Sequence, residues 1–464
     1  MKPANTPPPA KLILIITTLT AFMTAFMGSS INIALPVIGK EFNATALVLS
    51  WLSTAYLVTA AALLLPVGKL TDIYGRTIFF RVGIILFTAG SLLCGSAIDT
   101  TMLLIFRIVQ GVGAAFIFSS STALLVSIFP HSERGKVLGI NTAAVYIGLS
   151  SGPFLGGMIT HYLTWRGIFF INAIIGIVLI IITTVYLKHE WQEMLVQKYD
   201  YRGAAVYIIS IILLMLSVSM FPKTAGFILL FISLCVFGLF YFIEIRTPHS
   251  ILNAALFKAN KTFTLSNLAA LINYSATYAI GFLMSFYLQS VKILSPQEAG
   301  TILITQPVVQ ALFSPIAGRL SDKTEPQFVA SAGMTLLTIG LIVFWFLSPA
   351  TSYVLIIANL AMMGLGFALF SSPNVNAVMS SVEKQYYGVA SSILASMRLI
   401  GQMLSMGIVI VIFSVFIGSE KISPANQEAF LTSARMAFIL FSILCFIGIF
   451  ASLARGKIHN KKQS

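Results

Sequence analysis

The chain has 464 residues, 58% of them hydrophobic and only 9% charged, with a formal net charge of +14. A mean hydropathy of +0.94 exceeds what a soluble domain of this length carries, so composition excludes a soluble enzyme or nucleic-acid binder. The excess cations are read against membrane sidedness instead.

Apolar runs of about twenty residues, long enough to cross a roughly 30 Å hydrocarbon core as helices, recur along the whole chain. Residues 1–11, with Pro7-Pro8-Pro9, form a polar tail. Six spans follow at roughly 12–33, 47–67, 78–97, 102–127, 136–160 and 165–187. The first run follows Lys11 directly, lacks a small-residue cleavage site and continues too far for a signal peptide. A charged stretch at 188–202, with Lys188, Glu190, Glu193, Lys198, Asp200 and Arg202, closes this block. Two more spans, roughly 203–221 and 226–245, precede a second polar stretch from Arg246 to Lys261. The last six run roughly 262–289, 297–317, 327–347, 352–379, 387–417 and 429–454, before a tail at 455–464.

The reading is an all-α polytopic membrane protein of fourteen spans. It has a first six-helix half (12–187), a linker with two extra helices (188–261) and a second six-helix half (262–454). Parallel repeats of this kind place a substrate cavity between the halves near mid-membrane. Of 28 Lys and Arg residues, 20 fall at the termini and in the even-to-odd loops and 5 in the opposite loops, while Arg107, Arg398 and Arg435 lie within spans. That asymmetry places both termini in the cytoplasm. Cys94, Cys235 and Cys445 are far apart within apolar runs, and the five histidines are scattered, so neither a disulfide framework nor a metal site is expected.

Between the second and third spans runs Gly68-Lys69-Leu70-Thr71-Asp72-Ile73-Tyr74-Gly75-Arg76-Thr77. Gly68 and Gly75 permit a tight reversal, Asp72 is placed to pair with a cation or a helix N-terminus, and Arg76 and Arg81 suit anionic headgroups. A basic loop that only sets topology would look similar. However, the order of glycine, cation, Leu, small hydroxyl and Asp returns at Gly318-Arg319-Leu320-Ser321-Asp322. In the fourth span, Arg107-Ile108-Val109-Gln110-Gly111 puts a cation where it must find a partner or water, unless it snorkels or caps carbonyls. In the fifth, Gly148, Gly152 and Gly156 bare one helix face, Pro153 removes a donor and bends the helix, and Gly157 follows; ordinary small-residue packing is the plainer reading. Asn374 and Asn376, just after Pro373, either line the cavity at a helix break or satisfy backbone groups freed by the proline.

These phrases resemble the major facilitator superfamily. With the inserted pair, and with Gly388–Ser392 and Arg398-Leu399-Ile400-Gly401-Gln402 in the thirteenth span, the likeness to its fourteen-helix drug:proton antiporter family covers essentially the whole chain. The first loop resembles the superfamily signature, the Arg107 phrase its helix-four motif, and the Gly148–Gly157 phrase the antiporter motif of exporters. The resemblance implies that Asp72, with Gly68, Gly75 and Arg76 in its loop, joins an interdomain charge cluster holding one access state closed. It implies that Arg107, with Gln110 and Gly111, serves proton transfer or conformational coupling, and that Arg398 belongs to the corresponding machinery. The phrase from Gly148 through Gly152, Pro153 and Gly156 to Gly157 would then be a hinge. Export of hydrophobic or amphiphilic small molecules by alternating access follows, with a proton gradient and no cofactor. The expected setting is a monomer in the inner or plasma membrane, with the bilayer and a small-molecule substrate as partners and no nucleic acid.

One departure matters. The exporter family carries an acid five residues before the Asn of an Asn-x-Ala-Leu-Pro phrase; here the phrase is Asn32-Ile33-Ala34-Leu35-Pro36 and that position is Met27. All 14 Asp and Glu residues read as loop or helix-end residues, with Glu244 and Glu298 nearest a span. The expected cavity is therefore apolar and hydroxyl-rich, lined by Phe22, Met23, Phe26, Asn32, Tyr56, Tyr146, Asn273, Tyr274, Tyr278 and Gln306, with Asn374 and Asn376 at its edge. Arg107 and Arg398 are its expected fixed charges, which favours neutral or anionic amphiphiles. Two rivals stand beside this reading: an exporter of an anionic or lipid-like metabolite that needs no protons, and a sensor that keeps a transporter fold.

Overall fold

The computed structural model describes residues 10–130, 133–187, 190, 199–247, 251, 257, 260–383, 386–418, 420–422 and 426–456. The Pro7–Pro9 tail, much of the two polar stretches that flank the inserted pair, and the tail from 457 onward lie outside them. Among the described residues, fourteen helices are long and apolar enough to cross a membrane. They are α1 (Ala10–Glu41), α2 (Ala46–Tyr74), α3 (Arg76–Gly95), α4 (Thr100–Ile128), α5 (Arg134–Leu163), α6 (Arg166–Tyr186) and α7 (Tyr201–Met220). The second seven are α8 (Thr224–Glu244), α9 (Lys261–Val291), α10 (Pro296–Lys323), α11 (Pro326–Trp345), α12 (Tyr353–Ser380), α13 (Tyr387–Phe416) and α14 (Gln427–Leu453).

Helix starts fall where the loops supply a capping oxygen. Thr45, Asp99, Asp200, Asn260 and Ser352 each accept from a backbone N–H of the following turn, and Ser295 with Glu298 closes a full capping box on α10. Lipid offers no partner to orphan N–H groups, so such caps belong at span ends. The start of α3 is capped from far away in sequence, by the Glu190 carboxylate accepting from the N–H groups of Thr77 (2.8 Å) and Ile78 (3.1 Å).

The first six helices form one bundle, in which α1 packs on α5, α4 on α2 and α3, and α3 on α6. The last six form a second, in which α12 packs on α10 and α11, and α14 on α9 and α11. The bundles meet where α2 faces α13, α5 faces α10 and α1 faces α9. The inserted pair packs on itself, and α7 also touches both α2 and α13. Tyr207 on α7 donates to the Ala61 carbonyl (3.1 Å) and Ser414 on α13 to that of Phe221 (2.7 Å), so the insertion braces one seam between the bundles. Phe227, Ile228, Phe231 and Leu234 on α8 are well exposed, which suits a face turned to lipid.

Two local expectations are corrected. Gly68 makes no reversal, because α2 continues through it to Tyr74; a Cβ there would meet Ser119 at an ordinary 3.8 Å. Gly75 alone turns the chain, at φ +126, and its bare Cα also leaves room for the Glu190 carboxylate. Nor does Pro373 break its helix, since α12 runs unbroken from Tyr353 to Ser380. Helix-internal prolines at 36, 66, 153 and 315 are accommodated likewise. Neighbouring helices resupply freed groups in a packed bundle, so proline need not end a span. The interruptions of the helical ladder fall elsewhere, at Tyr278 in α9 and Ile304 in α10.

Candidate functional site

A cavity lies between the bundles, bounded by α1, α5, α9, α10, α12 and α13. Its polar lining is neutral: the amides of Asn32, Gln306, Gln310 and Gln402, the hydroxyls of Ser29, Ser150 and Thr277, and the phenols of Tyr146, Tyr274 and Tyr278. Leu149, Pro153, Ile280, Leu303 and Phe367 supply apolar walls. Among the described residues no carboxylate lines it. The interruptions at Tyr278 and Ile304 both abut this space, where irregular backbone is tolerated because it faces a cavity rather than lipid. Ser405 on α13 accepts from the Ala279 N–H at 3.0 Å, next to the first of them.

A second chamber lies toward the face carrying the described chain ends, called here the terminal face. Phe118, Ser121, Thr122, Asn141, Ser391 and Arg398 contribute to its walls. Tyr146 and Tyr274 line both chambers, and their hydroxyls share a hydrogen bond of 2.8 Å. This bridge joins α5 of one bundle to α9 of the other and stands between the two spaces. A narrower pocket beside it is edged by Tyr56, Phe118, Tyr278, Arg398 and Gln402.

Arg107, expected on the cavity, lies behind it. Its side chain is 0% exposed, donating to the Leu52 carbonyl (3.1 Å) and to Gln110 Oε1 (2.6 Å), with the guanidinium carbon 4.5 Å from the Tyr56 ring centroid. Gln110 passes the chain on to Ser91 Oγ at 2.8 Å. A buried cation without such acceptors would be very costly, so the network rather than the cavity claims it. Arg398 is the contrary case. It is 8% exposed, and among the described residues no acceptor bonds it; the nearest feature is the Phe118 ring, centred 5.9 Å from the guanidinium carbon.

The glycine phrase of α5 has two faces. Gly148, Gly152 and Gly156 lie against α1 of the same bundle, where added Cβ atoms would strike the Phe22 carbonyl, the Ser29 side chain and Ser30. Gly157 faces α10 of the other bundle at the Pro296 carbonyl, and Gly300 of α10 answers it, where an added Cβ would clash with the Pro153 carbonyl at 2.5 Å. Gly300 and Pro296 were not legible as part of this site. On the same side of the cavity, α9 donates to carbonyls of α1 through Tyr278 to Gly28 (2.8 Å), Ser285 to Asn32 (2.8 Å) and Gln289 to Ile33 (2.9 Å). Together these contacts join the two bundles toward the face opposite the termini.

At the terminal face, Asp72 pairs with Arg76 at 2.9 Å, and Arg76 also donates to Ser127 at the end of α4. In the second copy of the phrase, Asp322 and Ser321 accept from Asn376 at 3.0 Å. Asn376 and Asn374 are thus not cavity residues. Asn374 instead accepts from Arg455 at 2.9 Å, a residue 1% exposed whose pKa burial pulls down to about 10. A buried amide takes the nearest partner that satisfies it, and here charged groups at the helix ends were nearer than the cavity. Phe22 and Phe26 stack on each other at 5.9 Å, and neither they, Met23 nor Asn273 lines these chambers. Met27 is wholly buried and likewise off them. Asn32, Tyr146, Tyr274, Tyr278 and Gln306 are where the sequence put them, and Tyr56 edges the narrow pocket. Gln310 and Gln402 were missed as lining residues, since a glutamine in an apolar run carries no mark of which neighbour it faces.

The sequence profile described as Major Facilitator Superfamily matches residues 17–248 and 267–464. The riboflavin transporter RibZ of Clostridioides difficile (strain 630) is 31% identical over 94% of this chain and 96% of its own length. The multidrug transporter protein MdtP of Bacillus subtilis (strain 168) is 31% identical over 84% of this chain and 73% of its own. Among solved structures, a bacterial homolog of the human lysosomal transporter Spinster, inward-facing and unoccupied, superposes with a TM-score of 0.70. It covers 99% of this chain and 98% of that one at 16% identity, which speaks to fold alone. The chain belongs to the Major Facilitator Superfamily; it is a multi-pass membrane transporter and not an enzyme.

Proposed function

We propose that this superfamily member exports hydrophobic or amphiphilic small molecules by alternating access between its two six-helix bundles, with its termini in the cytoplasm. The observation that carries this reading is the carboxylate-free cavity of amides, phenols and apolar walls between the bundles. Such a lining binds flat, partly polar molecules and offers no counter-ion to a cation. The cation-rich terminal side supports the orientation. In this reading the glycine contacts of α5 with α10 close the outer face, the Asp72–Arg76 pair belongs to the latch of the inner face, and one copy of the chain suffices. Energy comes from the proton gradient. With no acid among the residues that line the cavity, the proton step uses the Arg107–Gln110–Ser91 chain, a helix-end acid such as Glu244 or Glu298, a histidine, or the substrate itself.

The test is flux in proteoliposomes, with and without an imposed pH gradient, over matched cationic, neutral and anionic aromatic compounds. Neutral and anionic members should move and permanently charged cations should not. Gradient-driven export of a quaternary ammonium compound would overturn the reading.

A second reading is favoured by one observation. Asn32, Gln306, Gln310 and Gln402 place four amides around one space, a lining suited to the alternating donors and acceptors of a flavin-like ring, and RibZ aligns with this chain almost end to end. Saturable riboflavin transport that multidrug substrates fail to inhibit would select it over drug export.

A further inference from the structure

We propose that Arg398 is an anion-binding subsite, taking the carboxylate or phosphate group of a substrate whose ring occupies the main cavity. This deepens the reading above and rests on it.

Three other arginines inside or at the end of a span each donate to an acceptor, although Arg107 Nη2 is itself buried without one. Arg107 bonds Leu52 and Gln110, Arg435 bonds the Leu347 carbonyl at 2.8 Å, and Arg455 bonds Ser452, Ser266 and Asn374. Arg398 is nearly as buried, yet none of its five N–H donors finds an acceptor among the described residues. A guanidinium removed from bulk water costs heavily unless something completes it, and here the missing partner has room to arrive because Arg398 lines both the terminal-side chamber and the pocket beside the tyrosine bridge.

The surroundings suit an anion. Among the described residues no carboxylate lines the chamber, and it gathers the hydroxyls of Ser121, Thr122, Thr142 and Ser391 with the amide of Asn141. Ser121 Oγ is buried and has no hydrogen-bond partner, leaving a second donor unused beside the first. The geometry also fits one molecule spanning both spaces. Gln402 lies one helical turn beyond Arg398 on α13 and lines the main cavity, so residues about 5–6 Å apart at their Cβ atoms would hold the ring end and the charged end. The Tyr146–Tyr274 bond stands where the two spaces meet, and a ligand hydroxyl or carboxylate replaces it by accepting from either phenol.

The probes are naphthalene-1-acetate and its uncharged isostere naphthalene-1-acetamide, titrated by fluorescence onto the full-length protein in phosphatidylcholine nanodiscs. This lipid carries no net charge, so an anionic lipid headgroup is removed as the source of the anion. Repeating the titration with phosphatidylglycerol added shows whether such a headgroup competes; loss of the carboxylate preference there assigns the site to lipid and overturns the substrate proposal. The wild-type protein should prefer the carboxylate by roughly ten- to hundredfold, the range of a hydrogen-bonded charge. Arg398→Gln should bring the carboxylate to the affinity of the amide, and Arg398→Lys should retain part of the preference. Equal affinities in the wild type, or a preference that survives Arg398→Gln, overturns the proposal while leaving the cavity reading intact. If the folded protein binds neither probe, the cavity reading falls and this subsite with it. Should Arg398→Gln not fold, the wild-type ratio and its partial retention in Arg398→Lys still decide.

Discussion

Arg107 and Arg398 occupy spans four and thirteen in nearly the same phrase, Arg-x-x-Gln-Gly in one bundle and Arg-x-x-Gly-Gln in the other. The exchange of the last two residues divides their fates. In α4 the glutamine comes first and bonds Arg107, while Gly111 lets α4 approach the Tyr56 carbonyl of α2, a Cβ there lying 2.8 Å from it. In α13 the glycine comes first: Gly401 lets that helix approach Leu271 and Tyr274 of α9, and Gln402 one position later faces the cavity. One arginine is thereby locked into a network, and the other is left with open donors at a chamber wall. A step of one residue rotates a helical side chain by about 100°, enough to change which neighbour it meets.

The comparison breaks most sharply at Arg107. Arg107→Ala leaves Gln110 Oε1 without its donor in a dry interior, at about 1–3 kcal/mol for a buried group left unbonded. It should abolish flux and lower the thermal unfolding midpoint of the solubilised protein, and Arg107→Lys, lacking the planar fork, should not restore either. Wild-type stability in Arg107→Ala would show that its network is not structural.

The glycine contacts sharpen the same contrast between fixed and moving parts. Gly152→Leu collides with α1 inside one bundle and should cost stability as well as transport, whereas Gly157→Leu meets only α10 of the other bundle. Gly157→Leu should therefore insert and fold but fail to close the face opposite the termini, leaving cysteine probes there labelled at all times. Equal labelling of Gly157→Leu and the parent would remove α5–α10 as a gate.

Asp72→Asn is gentler on the fold. The Asp72 side chain is 48% exposed and pairs with Arg76 one turn away, an arrangement worth only about 0.3–0.5 kcal/mol. Membrane insertion and melting should match the parent while flux falls severely, because the loss falls on the access equilibrium rather than on stability. Unchanged flux at equal expression would leave this loop a topology signal. Arg398 has no hydrogen bond to lose among the described residues, so Arg398→Gln should melt within a few degrees of the wild type or above it, in contrast to Arg107→Ala.

Much of this was legible because lipid simplifies the code. Fourteen runs, their punctuation and the sided distribution of Lys and Arg follow from the cost of exposing peptide or charge to hydrocarbon, a cost paid residue by residue without reference to the rest of the fold. The duplicated Gly-x-Leu-x-Asp phrase and the Gly148–Gly157 pattern were readable for the same reason; polarity marked Asn32, Tyr146, Tyr274, Tyr278 and Gln306, which line the cavity, and equally Asn273, Asn374 and Asn376, which do not.

What the tertiary structure decided is the partner of each polar group. Asn374 and Asn376 turned to Arg455 and Asp322, Glu190 crossed from a distant segment to cap α3, and Gly157 met a glycine of α10 that no local pattern marks. For Arg107 and Arg398, nearly alike in sequence, the helices that pack beside them decided what the exchanged Gln and Gly meet. Polarity fixes that a buried group needs a partner, but the choice among partners depends on which helices meet at which rotation, and that is a property of the packed bundles rather than of any one span.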